Sequence, residues 1–312
     1  MTRVLVTGGA GFIGSHIATA LVGQGNQVVV LDNLSTGRKE NLEHIESHIS
    51  FVQGDLLDRA ALEEALGNVE VVYHQAALAS VPRSVSAPMD THAACVTGTL
   101  NLLDQARAAG VRRLIYAGSS SAYGNQPFQS KREQDLPRPL SPYAAAKLAG
   151  EYYLQAFSAT YGLETVTIRY FNVFGPRQDP NSEYSAVIPK FVTAMLRGER
   201  PTIYGDGKQS RDFTYIDNVV SGNLAAASAR NAVGRVINVA CGEQINLLQL
   251  VDSINRVLRT NVQPIFAERR PGDVKSSLAD ISLAQEILDY SPQVSFDEGL
   301  RRSIKYYQSL IG

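Results

Sequence analysis

Through the first half of the chain, short runs of β-branched and apolar residues alternate with longer stretches of helical period. Arg3–Val6, Gln27–Leu31, Ser50–Val52, Val69–His74, Arg112–Ala117 and Glu164–Arg169 read as strands, being brief, apolar and bounded by turn residues. Between them Phe12–Val22, Thr91–Ala109 and Pro142–Tyr161 read as helices. This alternation predicts a parallel sheet covered on both faces. Right-handed crossovers then make it a doubly wound α/β fold of the Rossmann type. Beyond Phe171 the loops lengthen, and a helix near Tyr184–Leu196, a helix after Asp217, a strand near Arg235–Val239 and a helix near Asn246–Leu258 follow. Ser295 and Glu298 have the spacing of a capping box and open the last helix. The expected organisation is interleaved: residues 1–172 and 214–243 form the larger domain, and 173–213 with 244–312 a smaller α/β domain.

The first strand runs into Thr7-Gly8-Gly9-Ala10-Gly11-Phe12-Ile13-Gly14. Glycines 8, 11 and 14 allow a tight turn, close approach of the backbone to a pyrophosphate, and close helix–strand packing. The helix that follows points free N–H groups at the phosphates. Asp32, ending the second strand, can accept from a ribose 2′-hydroxyl and repels a 2′-phosphate, which favours NAD over NADP. Arg38 and Lys39 follow closely and can bind a phosphate, so they weigh the other way. Asp55, after the third strand, is a candidate for the adenine end or a simple loop residue.

Composition narrows the classes. Hydrophobic residues are 44% and charged residues 19% of 312, a balance that argues against disorder. Lys+Arg is 29 against Asp+Glu 30, so no basic excess exists to neutralise a nucleic-acid backbone. The two cysteines, Cys95 and Cys241, exclude a disulfide framework and read as buried thiols. No apolar stretch reaches the roughly 18 residues of a membrane span. A cytoplasmic protein with no nucleic-acid or membrane partner is expected. His44 and His48 are four apart, as metal ligands on a helix can be, but no further ligand joins them, and no metal site is assigned.

Tyr143 and Lys147, four residues apart, share one helix face. A phenol has a pKa of about 10, so a Tyr that acts as general base needs nearby positive charge, which Lys147 supplies. Ser119, in the run Ser119-Ser120-Ser121 that ends the preceding strand, can hydrogen-bond the oxygen whose proton Tyr143 moves.

These features resemble the extended short-chain dehydrogenase/reductase family. The resemblance is carried by Thr7-Gly8-x-x-Gly11-x-x-Gly14, His74-Gln75-Ala76-Ala77, the serines before Tyr123-Gly124, and Tyr143-x-x-x-Lys147. Arg169 to Pro176, Arg211-Asp212-Phe213-x-Tyr215-Ile216-Asp217 and Arg269 to Asp273 resemble its nucleotide-sugar branch. The motifs span nearly the whole chain and are similar to those of UDP-sugar 4-epimerases. Ser80-Val81-Pro82-Arg83-Ser84 and Arg177-Gln178-Asp179-Pro180-Asn181 resemble the UDP-N-acetylglucosamine 4-epimerase subgroup.

The resemblance implies an isomerase that keeps NAD bound and returns it unchanged. Tyr143 would take the proton of the sugar 4-hydroxyl, hydride would leave C4, and the 4-keto sugar would turn over before hydride returns. Ser119, Tyr143 and Lys147 would be catalytic. Gly8, Gly11, Phe12, Ile13, Gly14, Asp32, Asn33, Asp55, Leu56, Gln75, Ala76 and Ala77 would hold the cofactor with Tyr143 and Lys147. Ser80, Arg83, Ser120, Ser121 and Asn172 would meet the substrate, Arg211 and Arg270 its diphosphate, Asp273 a ribose hydroxyl, and Val187, Ile188 and Tyr204 its uracil. The bland alternatives are an ion pair of Arg211 with Asp212 or Asp217, and a solvated Arg270 beside Glu268. Related dehydratases carry an Asp-Glu pair where this chain has Ser120-Ser121, which disfavours dehydration. Galactose-restricted epimerases place a Tyr where this chain has Ser277, so a small residue here implies room for an N-acetyl group. The resemblance also implies a homodimer paired through the helices Thr91–Ala109 and Pro142–Tyr161.

Two rivals stand. One is a UDP-glucuronate 4-epimerase or decarboxylase, if Arg83 faces the C6 carboxylate. The other is a non-catalytic NAD-sensing protein, which the intact Ser119, Tyr143 and Lys147 oppose.

Overall fold

The computed structural model describes residues 1–126, 130–180, 186–268 and 276–311. Its centre is a seven-stranded sheet. The strands are β1 (Arg3–Thr7), β2 (Gln27–Asp32), β3 (Ile49–Gln53), β4 (Val71–His74), β5 (Arg113–Ser119), β6 (Glu164–Tyr170) and β7 (Val236–Val239). They lie in the order β7-β6-β5-β4-β1-β2-β3, and every neighbouring pair is parallel. The chain therefore builds outward from β1 to β3, returns to β4 on the other side of β1, and builds outward again. The crevice beyond the carboxyl ends of β1 and β4 is the switch point of a doubly wound sheet.

The apolar runs feed two cores, because successive side chains of a strand point to opposite faces. Val4, Val6, Val28, Val30, Tyr73, Ile115 and Ile168 belong to one buried cluster. Leu5, Val29, Leu31, Val72, Leu114 and Tyr116 belong to the other, with Leu62, Leu102 and Phe157 from the covering helices. The first cluster continues into the later half of the chain through Phe174, Phe191, Ile254, Leu300 and Tyr307. Among the small strands outside the sheet, Ser210–Arg211, Ile245–Asn246 and Ser276–Ser277 form a ribbon of their own.

The expected helix over Thr91–Ala109 is not uniform. It opens earlier, at Pro88–His92, passes through a π turn at Ala93–Thr97 and resumes as Gly98–Ala108. Gly98 follows this turn at a close crossing, where an added Cβ would stand 2.9 Å from Leu56. The helix expected from Tyr184 is described from Val187 to Leu196, residues 181–185 lying outside the described chain. Of the box expected at the last helix, only half forms. The Ser295 hydroxyl accepts the Glu298 amide at 3.4 Å, but the Glu298 carboxylate turns to Arg301 and Arg302. A full reciprocal box stands instead at Asn246 and Gln249.

Among the described residues, no helix is long and apolar enough to cross a membrane.

Candidate active site

The turn after β1 is built by its glycines. Gly8 takes φ +66°, and a Cβ there would stand 2.7 Å from the Ala76 backbone. A Cβ on Gly14 would stand 2.2 Å from the Gly8 carbonyl oxygen, so only glycine lets the helix Phe12–Gly23 start this close to the strand. That helix opens at Gly11 with no side-chain cap, which leaves its first amides available to an anion. They face a cavity of about 540 Å³, walled here by Gly8, Gly11, Phe12, Ile13 and Gly14.

Asp32, Asn33, Asp55 and Leu56 line the next stretch of wall, and Gln75, Ala76 and Ala77, after β4, the floor. Asp32 is buried, and its oxygens accept the amides of Ala10 (2.9 Å) and Leu34 (2.8 Å). Burial nonetheless raises its pKa. The carboxylate thus shapes its own loop while still presenting acceptors to the cavity. Asn33 donates to Asp55 at 2.6 Å, which makes these two one polar unit. Arg38 and Lys39, possible phosphate ligands in the sequence, are otherwise engaged. Arg38 pairs with Asp179 at 2.7 Å, and the Lys39 ammonium lies 5.1 Å from the Phe51 ring centroid.

The sequence motif Arg177 to Asn181 carried a resemblance but no site role, and its loop closes this end. Arg177 and Asp179 both line the cavity. Arg177, at φ +66°, donates to Ser15 (3.3 Å), Thr19 (3.2 Å) and His44 (3.1 Å). His16 donates to the Pro176 carbonyl at 3.0 Å. These contacts join residues more than a hundred positions apart, and no local pattern announces them.

Tyr143 and Lys147 line the same cavity from the helix Pro142–Tyr161, whose start is capped by Ser141 accepting the Ala144 amide at 3.1 Å. Gly150 lets this helix press onto β5, where an added Cβ would meet the Tyr116 hydroxyl at 2.4 Å. Burial drives the Tyr143 phenol well above its ordinary pKa, and the Ser119 hydroxyl pulls it back only in part. Burial lowers the pKa of Lys147, and Glu151 one turn on supports its charge. The Lys147 ammonium lies 4.4 Å from the Tyr116 ring centroid. Ser119 ends β5 and shares a hydrogen bond of 2.8 Å with Ser121, while Ser120 opens the short turn between them. Cys95 is buried against Ala146 as expected of a structural thiol.

The other sequence candidates scatter more widely. Arg83 lines the cavity, and the Ser80 hydroxyl accepts the Arg83 amide at 3.1 Å, capping the short helix that carries it. Asn172, at φ +33°, donates its side-chain amide to the Asp212 carbonyl at 3.0 Å and ties two loops together. Neither acid considered for Arg211 is held in an ion pair with it. Asp212 accepts the amides of Cys241, Gly242 and Ala279, and Asp217 pairs with Arg302 at 3.1 Å. Ser277 pairs in register with Arg211 on the adjacent strand. Val187 opens its helix and packs with Ile188 against the larger core, and Tyr204 ends a short strand. Arg270 and Asp273 lie outside the described residues.

Residues 4–240 match the NAD dependent epimerase/dehydratase family. The chain is 38% identical over 312 residues to the UDP-glucose 4-epimerase of Mycolicibacterium smegmatis, covering 98% of this chain and 99% of that one. It superposes on the UDP-N-acetylglucosamine 4-epimerase from Methanobrevibacter ruminantium, solved with UDP-N-acetylmuramic acid, with a TM-score of 0.95, 43% identity and 99% of each chain covered. The UDP-glucuronic acid 4-epimerase from Bacillus cereus, solved with UDP-glucuronic acid and NAD, matches with a TM-score of 0.92 and 34% identity over 99% of this chain and 100% of that one. The parallel sheet, the glycine turn at its switch point and the Tyr143–Lys147 pair thus come with sequence likeness along the whole chain, and the protein belongs to the NAD dependent epimerase/dehydratase family.

Proposed function

We propose that this UDP-sugar 4-epimerase interconverts UDP-GlcNAc and UDP-GalNAc, with UDP-Glc and UDP-Gal as poorer substrates. The observation that carries this reading is the small Ser277 beside Arg211. If Arg211 meets the diphosphate, the sugar lies near Ser277, and a short side chain leaves space at its C2 substituent. The likeness to the Methanobrevibacter UDP-N-acetylglucosamine 4-epimerase supports it.

The residues present fit NAD. The cavity begins at uncapped helix amides suited to a pyrophosphate and passes the Asp32 carboxylate suited to a ribose. Arg38, the residue that weighed toward NADP, is paired with Asp179, which supports the preference for NAD. Gly8, Gly11, Phe12, Ile13 and Gly14 would hold the diphosphate. Asp32, Asn33, Asp55 and Leu56 would hold the adenosine, and Gln75, Ala76, Ala77 and Lys147 the nicotinamide half. NAD held there would supply the acceptor for the C4 hydride and its source on return. Tyr143 takes the proton of the 4-hydroxyl and later returns it, Ser119 holds the reacting oxygen, and Lys147 favours the phenolate. The buried phenol resists ionising by itself, so proton transfer is coupled to the positive charge around it.

The interleaved domains of the sequence reading and a homodimer belong to the same proposal. Val85, Met89, Tyr152 and Tyr153 are exposed on helices that pack together, and burying them between two copies accounts for them. A second reading, UDP-glucuronate as substrate, is favoured by Arg83 on the cavity wall and by the Bacillus cereus relative.

The deciding experiment incubates purified protein with each UDP-sugar, without added reductant, and follows the products by NMR. UDP-GalNAc forming from UDP-GlcNAc supports the proposal. Turnover of UDP-Glc and UDP-Gal alone overturns the reading of Ser277, and turnover of UDP-glucuronate alone replaces it with the second reading.

A further inference from the structure

His74 ends β4 beneath the cavity and is buried completely, as are its two partners Thr7 and Thr99. Its Nδ1 lies 2.7 Å from the Thr7 hydroxyl and its Nε2 lies 2.9 Å from the Thr99 hydroxyl. The protons of this chain can be assigned from its ends. Thr99 Oγ1 stands 2.7 Å from the Cys95 carbonyl, which can only accept, so the single Thr99 proton goes there. Thr99 Oγ1 is then the acceptor, and His74 Nε2 carries a proton. At the other end the Ala76 amide, which can only donate, gives its hydrogen to Thr7 Oγ1 at 3.3 Å. Nδ1 is the acceptor that remains for the Thr7 proton.

The relay is therefore directed throughout: Ala76 N–H to Thr7, Thr7 O–H to His74 Nδ1, His74 Nε2–H to Thr99, Thr99 O–H to Cys95 C=O. A positively charged ring would leave the buried Thr7 proton without that acceptor. The groups facing the ring agree. They are the Lys147 ammonium and the Tyr116 ring, whose centroid lies 5.4 Å away; burial and Lys147 together hold the His74 pKa down to about 3.

Both ends of the relay adjoin the cavity wall, Ala76 being part of it and Cys95 following its Ala93 and Ala94. Thr7 precedes Gly8, which stands against Ala76 with no room for a methyl group. Cys95 sits in the π turn whose neighbours Ala93 and Ala94 line the cavity and whose other side packs on Ala146, beside Lys147. We propose that His74 is a positioning residue: as the neutral Nε2–H tautomer it ties the glycine turn to the π turn and so sets the cofactor cavity. This rests on the cavity being the NAD site.

The test has two parts. Long-range 1H–15N NMR of the NAD-loaded protein labelled in its five histidines, with His74→Asn to assign the signal, should show His74 neutral and protonated at Nε2 from pH 8 to 5. An Nδ1–H tautomer, or titration within that range, overturns the proposal. In parallel, Thr99→Val breaks the relay at nearly constant volume. It should raise the Kd for NAD at least about tenfold, the equivalent of one lost buried hydrogen bond. His74→Gln, which can still donate toward Thr99, should lose less than His74→Phe. A lower melting temperature with unchanged NAD affinity in Thr99→Val overturns the proposal and leaves the cofactor reading intact. Failure of the native chain to bind NAD overturns both.

Discussion

Ser277 and Arg211 stand side by side on adjacent parallel strands, and the Ser277 carbonyl accepts the amide of Asp212 at 2.8 Å. Asp212 in turn is buried and held by three backbone amides, from Cys241, Gly242 and Ala279. Side chains paired in register project to the same face of a sheet. A substitution at Ser277 therefore acts where Arg211 acts. Ser277→Tyr is expected to reduce turnover of UDP-GlcNAc by about 100-fold or more, upward of ~2.7 kcal/mol in the barrier, while UDP-Glc turnover falls much less. A substrate panel on the variant checks this, and equal loss on both sugars counts against a C2 pocket.

Tyr143→Phe removes one hydroxyl from the cavity wall and leaves the helix intact. Epimerisation is expected to fall by about 10²–10⁴-fold, the usual contribution of a positioned proton-transfer group. NAD binding, measured by equilibrium dialysis, should persist. Full turnover in the variant would remove Tyr143 from the chemistry.

Glu151, on the helix Pro142–Tyr161, forms a buried pair with Arg169, with N···O as short as 2.7 Å, and the Arg169 guanidinium also stacks 4.6 Å from the Tyr123 ring centroid. Removing one partner leaves a buried charge uncompensated. Glu151→Ala is expected to destabilise the fold by about 3–5 kcal/mol in urea unfolding. The double change Glu151→Met with Arg169→Met should recover much of that loss, since replacing a whole buried pair by apolar residues costs little. A neutral single variant would show that water already reaches the pair.

His16 supplies a stability term with a defined sign. Burial and the nearby Arg177 lower its pKa from 6.5 to about 4. The unfolded chain therefore binds more protons between these values. Stability from this group is fully present above pH 6.5 and is lost as pH falls toward 4, at up to about 1.4 kcal/mol per pH unit. His16→Gln can keep the hydrogen bond to the Pro176 carbonyl and abolish the titration. The difference in unfolding free energy between native and variant should change across pH 6.5 to 4 and flatten outside that window. A constant difference would mean that His16 titrates normally.

The local physics of the chain determined much of this protein. Short, continuous apolar runs bounded by turn residues locate the strands of the sheet to within a residue or two. The spacing of Gly8, Gly11 and Gly14, with Asp32 ending the next strand, locates one wall of the cavity, because each depends on backbone sterics within one strand–turn–helix unit. Helical spacing puts Tyr143 and Lys147 on one face, and the upstream glycine turn and serine run single that pair out. Other features depend on which distant segments touch, and there the tertiary structure decided. The π turn at Ala93–Thr97 leaves no periodic mark, since one extra residue in a turn shifts the apolar pattern too little to read. Arg177 and Asp179 reach the cavity only because the loop carrying them packs across the helix Phe12–Gly23. Ser80 and Asn172 carry polar groups that the sequence cannot commit to a partner, and the fold commits them to a helix cap and a loop tie. Local conformation is set by neighbouring residues and so can be read from them, whereas a hydrogen bond across a hundred residues is chosen by packing.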